Sequence, residues 1–82
     1  MNYELAFKPR ASRDLNDLDR TTFERILSRL QVLQTDLSGD VKKLTNFTPN
    51  YRLRVGDYRV LFEVADNRII VWRVLHRRDA YR

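Results

Sequence analysis

Tyr51-Arg52-Leu53-Arg54-Val55-Gly56-Asp57-Tyr58-Arg59-Val60-Leu61-Phe62-Glu63-Val64 consists of two runs of alternating side chains around a glycine–aspartate pair. Successive residues of a strand point to opposite faces, so each run reads as a strand with one buried face. Gly56 supplies the positive φ that a two-residue hairpin loop requires. Such a loop pairs Val55 with Tyr58, Arg54 with Arg59 and Arg52 with Leu61. One face then collects Tyr51, Leu53, Val55, Tyr58, Val60, Phe62 and Val64, which must be covered. The other collects Arg52, Arg54 and Arg59. Like charges opposite one another across strands cost a few tenths to about 1 kcal/mol, so stability alone does not favour this arrangement.

Downstream, Asp66-Asn67 is a second turn, and residues 68–77 form the most apolar strand, expected inside the sheet. A two-residue turn there places Val74 opposite Arg59 and His76 on the arginine face, near the Gly56-Asp57 turn. Arg77, Arg78 and Tyr81 follow. The same register puts Arg73 on the core side, where it is expected to be salt-bridged or snorkelling unless the register slips there. Trp72 is expected as a core or partner contact beside the basic face.

Upstream, residues 2–7 alternate and predict a strand with Tyr3, Leu5 and Phe7 on one face. Pro9 opens a helix running to about Leu18 through Ala11 and Leu15. A second helix starts at Asp19 or Thr21; Thr21-Thr22-Phe23-Glu24 has the form of a capping box. Phe23, Ile26, Leu27, Leu30, Leu33 and Leu37 make its apolar stripe, and Ser38-Gly39 stops it. The expected architecture is α+β: a two-helix hairpin packed on one face of a small, mainly antiparallel sheet in the order β-α-α-β-β-β.

The 82 residues bury one modest core and form a single domain over 1–82. There is no cysteine and one histidine, so disulfides and thiolate chemistry are excluded, and no metal or other cofactor is expected. The first residues lack the basic and apolar regions of a signal peptide. The longest apolar run, Ile69–Trp72, is far too short to span a bilayer. A cytoplasmic location without membrane association is therefore expected. Residues 1–41 carry six Lys/Arg against seven Asp/Glu, and residues 42–82 carry ten against four. A neutral half joined to a basic half indicates a polyanion-binding face.

Arg52, Arg54, Arg59, His76, Arg77 and Tyr81 are the candidate catalytic residues, with Lys42, Lys43, Arg78 and Arg82 as flanking RNA-binding candidates. Guanidinium groups offer fixed, permanently charged donors to phosphate oxygens. An imidazole and a phenol beside them supply the proton transfers that RNA cleavage without a metal requires. One group deprotonates the 2′-hydroxyl, arginines stabilise the phosphorane, and an acid protonates the leaving 5′-oxygen.

These strings resemble the RelE/ParE toxin superfamily over nearly the full length. The resemblance is carried by Tyr3-Glu4-Leu5-Ala6-Phe7, the two-helix segment, Lys43-Leu44, the Tyr51–Val64 stretch, and Val74-Leu75-His76-Arg77-Arg78-Asp79-Ala80-Tyr81-Arg82. The His-Arg-Arg…Tyr ending is closer to the RelE branch. The resemblance implies a RelE-like fold and a toxin that cleaves messenger RNA in the ribosomal A site through 2′-hydroxyl attack. It also implies a cognate antitoxin that neutralises the toxin, and contact with operator DNA only through the toxin–antitoxin complex. It matches Arg52 and Arg54 to the family's two basic strand positions, Arg59 and Arg77 to its central and late arginines, and Tyr81 to its C-terminal tyrosine. In the best-known branch the strand positions are lysines, one serving as base. Arginine does not readily release its proton, so the base role is expected of His76, whose side-chain type titrates near neutrality, with Asp57 or Tyr81 as alternatives. Leu75 stands where relatives often carry glycine. A ParE-like gyrase inhibitor and an inactive homologue retained in a repressor complex are the competing expectations.

Overall fold

The computed structural model describes residues 2–37 and 40–80. Among them the elements run β1 (Glu4–Phe7), α1 (Pro9–Asn16), α2 (Arg20–Thr35), β2 (Val41–Lys43), β3 (Tyr51–Val55), β4 (Tyr58–Ala65) and β5 (Arg68–His76). The strands form one sheet in the order β1-β5-β4-β3-β2. β1 runs parallel to β5 and every other pairing is antiparallel. No helix among the described residues is long and apolar enough to cross a membrane.

The expected α+β architecture is present, with β5 inside the sheet between β1 and β4. One strand was not anticipated. β2 pairs Val41 with Leu53 and Lys42 with Arg52, and three residues are too few to show an alternation. The first helix stops at Asn16 rather than Leu18. α2 is capped by Asp19, whose Oδ2 accepts the Thr22 amide hydrogen at 3.4 Å. Thr21 is therefore already helical, and Glu24 accepts from Arg20 Nε at 3.1 Å instead of closing a capping box. Hydrogen bonding from the Thr22 side chain, and then from the Thr22 amide, holds the Asp19 carboxyl below its ordinary range. The helix ends at Thr35; the Ser38-Gly39 stop lies outside the described residues.

Ile26, Leu30 and Leu33 of α2, with Ala11 and Leu15 of α1, pack on Leu53, Val55, Val60, Phe62, Ile69, Val71 and Val74. Burial of each such side chain contributes about 1.5–3 kcal/mol. Tyr51 and Phe62, paired across β3 and β4, stack with ring centroids 5.4 Å apart.

The second hairpin departs from simple pairing. Ala65↔Arg68 to Phe62↔Val71 follow a two-residue turn, but Leu61 pairs with Arg73, leaving Trp72 as the extra residue of a β-bulge. An inserted residue reverses the faces of everything after it. Val74 therefore lies opposite Val60, not Arg59, and is 3% exposed in the core. The bulge also takes Arg73 out of the core, where an unpaired guanidinium would be prohibitive.

Candidate nucleic-acid interface

The Gly56-Asp57 turn sets the site. Gly56 has φ +57°, and the pairing it enforces is Val55↔Tyr58, Arg54↔Arg59 and Arg52↔Leu61. On the face away from the helices, a cross-sheet row runs Lys42, Arg52, Leu61, Arg73, and a second runs Arg54, Arg59, Leu75. Leu61 is only 4% exposed there although it lies outside the main core cluster. The arginines thus stand around a small apolar patch on a rigid sheet.

Each guanidinium is held differently. Arg59 Nη1 donates to the carbonyls of Gly56 (3.1 Å) and Tyr58 (3.0 Å), folding the side chain back over its own turn. Arg54 Nε donates to Asp40 Oδ2 at the sheet edge. Arg52 Nε is buried without a hydrogen-bond partner, which leaves a charged donor unsatisfied on this face. The Asp40 carboxyl is held below its ordinary range, first by the Arg54 hydrogen bond and then, against some burial, by the charges of Arg54, Arg52 and Arg59. One carboxylate therefore feels the field of all three arginines.

β5 is fastened beside this face by α1. Beyond Val71 it has no β1 partner, and Asp14 takes over that edge. Its carboxylate accepts from Arg73 Nε (2.8 Å), Arg73 Nη2 (3.2 Å) and the Val74 amide (2.9 Å). Burial pushes the Asp14 carboxyl up, but these hydrogen bonds and the charges of Arg73 and Arg10 outweigh it and hold the group below the usual carboxylate range. Arg73 is held protonated by the same partner.

His76 is not on the arginine face. The bulge pairs it with Tyr58 on the helix-side register, and Leu75 takes the place opposite Arg59. The His76 and Tyr58 rings meet edge to face at 5.5 Å, and His76 Nδ1 accepts from Arg78 N and Nε at 3.4 and 3.3 Å. It shares the arginines' end of the sheet but not their face. Arg77 is at that end too: its amide donates to the Asp57 carbonyl at 2.7 Å, and its Nε lies 4.0 Å from the Asp57 carboxylate, both side chains exposed. Lys42 joins the arginine face, whereas Lys43, opposite Tyr51, has the other register. Arg78 is engaged with His76. Tyr81 and Arg82 lie outside the described residues.

Several contributors escaped the sequence reading. Asp40 immediately precedes β2, and its approach to Arg54 follows from a strand too short to read. Trp72 occupies the bulge, donating to Glu63 Oε1 at 3.0 Å, with Lys8 Nζ 4.3 Å above its ring. A signal for the bulge was present in the inward residues Ile69, Val71 and Val74, whose spacing changes from two to three.

The arrangement can hold phosphate oxygens on one face and offers an imidazole around the hairpin end. Comparison with known proteins agrees with the fold. The family described as "ParE toxin of type II toxin-antitoxin system, parDE" matches residues 5–81. Toxin RelE3 of Methanocaldococcus jannaschii is 48% identical over 46 residues, an alignment covering 56% of this chain and about half (52%) of that protein. A toxin–antitoxin complex, RelB-RelE from Methanococcus jannaschii, superposes with a TM-score of 0.77 at 32% identity, covering 93% of this chain and 94% of the other. The archaeal RelE-RelB complex from Pyrococcus horikoshii OT3 gives 0.81 at 27% identity, covering 98% and 100%.

Proposed function

Because the chain belongs to the ParE toxin family of type II toxin–antitoxin systems, within the RelE/ParE superfamily, we propose that it is a metal-independent RNA endonuclease that cuts messenger RNA on the ribosome and is neutralised by a cognate antitoxin. The observation that carries this reading is the Arg54–Arg59 pair, two arginines at directly opposed strand positions beside Arg52. Phosphate binding is the chemistry that compensates such repulsion.

Arg52, Arg54 and Arg59 hold the scissile phosphate and stabilise the charge that grows on it as the 2′-hydroxyl attacks. Arg77 meets the neighbouring phosphate at the hairpin end. His76 transfers the proton: its Nδ1 is the accepting nitrogen, held by Arg78 in the free protein, and takes the 2′-hydroxyl proton when the RNA displaces Arg78. The strand must then pass over the Gly56-Asp57 end to reach both faces. Tyr81 is the second acid–base candidate, and Lys42 extends the phosphate track along β2. The antitoxin covers the same arginine face, in the cytoplasm, and links the toxin to operator DNA.

The test is end-mapping of transcripts after induction of the toxin without antitoxin. Codon-phased 5′ ends are expected with the wild-type chain, and their loss in Arg59→Ala and His76→Ala variants that still fold and bind antitoxin. Persistence of cleavage and growth arrest in both variants would falsify the assignment. A ParE-like gyrase inhibitor is the second reading, favoured by the match to the ParE description; it predicts DNA damage and filamentation with transcript ends unchanged.

A further inference from the structure

A cleft of about 530 Å³ opens between α2 and the β3–β4 turn, bounded by Arg25, Ser28, Arg29, Asp40, Arg54 and Gly56. Its charges are unbalanced. Arg25 and Arg29 stand one helical turn apart, about 6 Å along the axis, and like charges at that spacing weaken a helix by a few tenths of a kcal/mol. Neither makes a hydrogen bond or ion pair to any described residue. Arg25 leans over the hairpin, its Nη2 only 3.2 Å from where a Cβ on Gly56 would stand. The carboxylates nearby are already engaged: Glu24 with Arg20, Asp40 with Arg54, and Asp57, which lies beside Arg25 at the turn, with Arg77 at 4.0 Å.

Arg54 belongs to both surfaces. Its strand position lies opposite Arg59 on the arginine face. Beyond Leu53, β2 ends and the Arg54 amide donates to the Asp40 carbonyl at 3.0 Å, so the side chain turns over this edge to the Asp40 carboxylate in the cleft. The guanidiniums of Arg59, Arg54, Arg29 and Arg25 therefore form a track from one side of the sheet to the other. Asp40 is the anion that Arg54 holds on it, where a phosphate oxygen would be held.

We infer that this cleft is a phosphodiester-binding subsite, taking the RNA backbone as it leaves the arginine face around the Arg54 edge and displacing Asp40 from Arg54. The inference rests on the RNA-binding reading of the outer face. It assigns Arg25 and Arg29 one phosphate contact each, with the Ser28 hydroxyl between them as a further donor.

The experiment measures anisotropy of labelled single-stranded RNAs of about three and about nine nucleotides across a salt series, since each phosphate contact adds about 0.7 to the salt slope. The proteins are the wild-type chain, the double variant Arg25→Gln/Arg29→Gln and Arg59→Gln, each checked for an unchanged melting temperature. The double variant is expected to bind the longer RNA roughly tenfold more weakly, with a slope lower by about 1.4, and the shorter RNA as wild type does. Arg59→Gln is expected to weaken both. If the double variant matches wild type on both lengths while Arg59→Gln does not, the cleft is not a subsite and the outer-face reading stands. A double variant that binds RNA normally but loses antitoxin assigns the cleft to a protein partner and overturns the inference. Equal loss on both lengths overturns it as well, because the cleft is then not an extension. No RNA binding by wild type overturns both readings.

Discussion

Asp14→Ala removes the tie that replaces β1 along the second half of β5. In the intact protein the carboxylate receives three hydrogen bonds, two from Arg73 and one from the Val74 amide, at 2.8 to 3.2 Å. The Asp14 side chain is 15% exposed and that of Arg73 31%, so water reaches the pair in part. Hydrogen bonds to charged groups contribute about 1.5–3 kcal/mol each when buried, and an orphaned buried amide costs about 1–3 kcal/mol. These terms are not additive, and solvent screening of Arg73 lowers them, giving a loss of about 2–3 kcal/mol. For a domain of this size that lowers Tm by about 10–20 °C. Urea unfolding at neutral pH, followed by fluorescence of Trp72, measures it. Hydrogen exchange should show lost protection centred on the Val74 amide. A second arm uses pH. The folded carboxyl lies below its ordinary value of 3.8, so its stabilisation is fully present above that value and fades as pH falls through the folded value. The gap between wild type and Asp14→Asn should therefore be widest at neutral pH and shrink below about pH 4. An Asp14→Ala protein within about 0.5 kcal/mol of wild type, a change no larger than an ordinary surface substitution, would refute the reasoning. So would a gap to Asp14→Asn that does not narrow in acid.

Asp40→Asn releases Arg54 and removes the anion among the arginines; tighter binding of single-stranded RNA with a steeper salt slope is expected in anisotropy titrations, and unchanged affinity would show that Asp40 does not compete. Leu61→Ala empties the apolar patch beneath the arginines and should cost about 2–4 kcal/mol in urea unfolding, a loss under 1 kcal/mol meaning that the patch is not packed. Gly56→Ala places a side chain at φ +57°. It should cost about 1–2 kcal/mol from backbone strain alone, because the 3.2 Å neighbour is the movable end of Arg25.

The first hairpin was legible because two residues of turn chemistry determine a register, and the register determines which residues share a face. From that step Arg52, Arg54 and Arg59 came together as expected. The same step failed at the next hairpin, since nothing local to Asp66-Asn67 announces an insertion six residues on. The misfit was visible all the same: Arg73 fell in the core without a partner. Its partner, Asp14, is 59 residues away, a tertiary contact that alternation does not encode. Thr21 as a cap failed for a different reason. Asp19 and Thr21 both carry the right oxygen, and only the extended backbone at Asp19 (φ −67°, ψ 161°) decides between them. The cleft between α2 and the hairpin depends on how a helix and a strand edge approach, and so lay beyond sequence patterns.

The bulge at Trp72 also reshapes the chemical problem. Without it, an imidazole would stand among the arginines, and one side of the sheet would carry both phosphate binding and proton transfer. With it, Leu75 faces Arg59, and His76 sits across the sheet beside Tyr58. Arginine does not act as a base at physiological pH, so the three arginines of the outer face can bind and polarise a phosphate but do not themselves take the 2′-hydroxyl proton. On the proposed mechanism the reacting nucleotide must therefore lie at the Gly56-Asp57 end, where the two faces meet. Arg77 is anchored at that end by the hydrogen bond its amide donates to the Asp57 carbonyl. A group there reaches His76 from one side and Arg59 from the other, which is why His76→Ala should abolish cleavage while leaving RNA affinity near wild type, and Arg59→Gln should lower both.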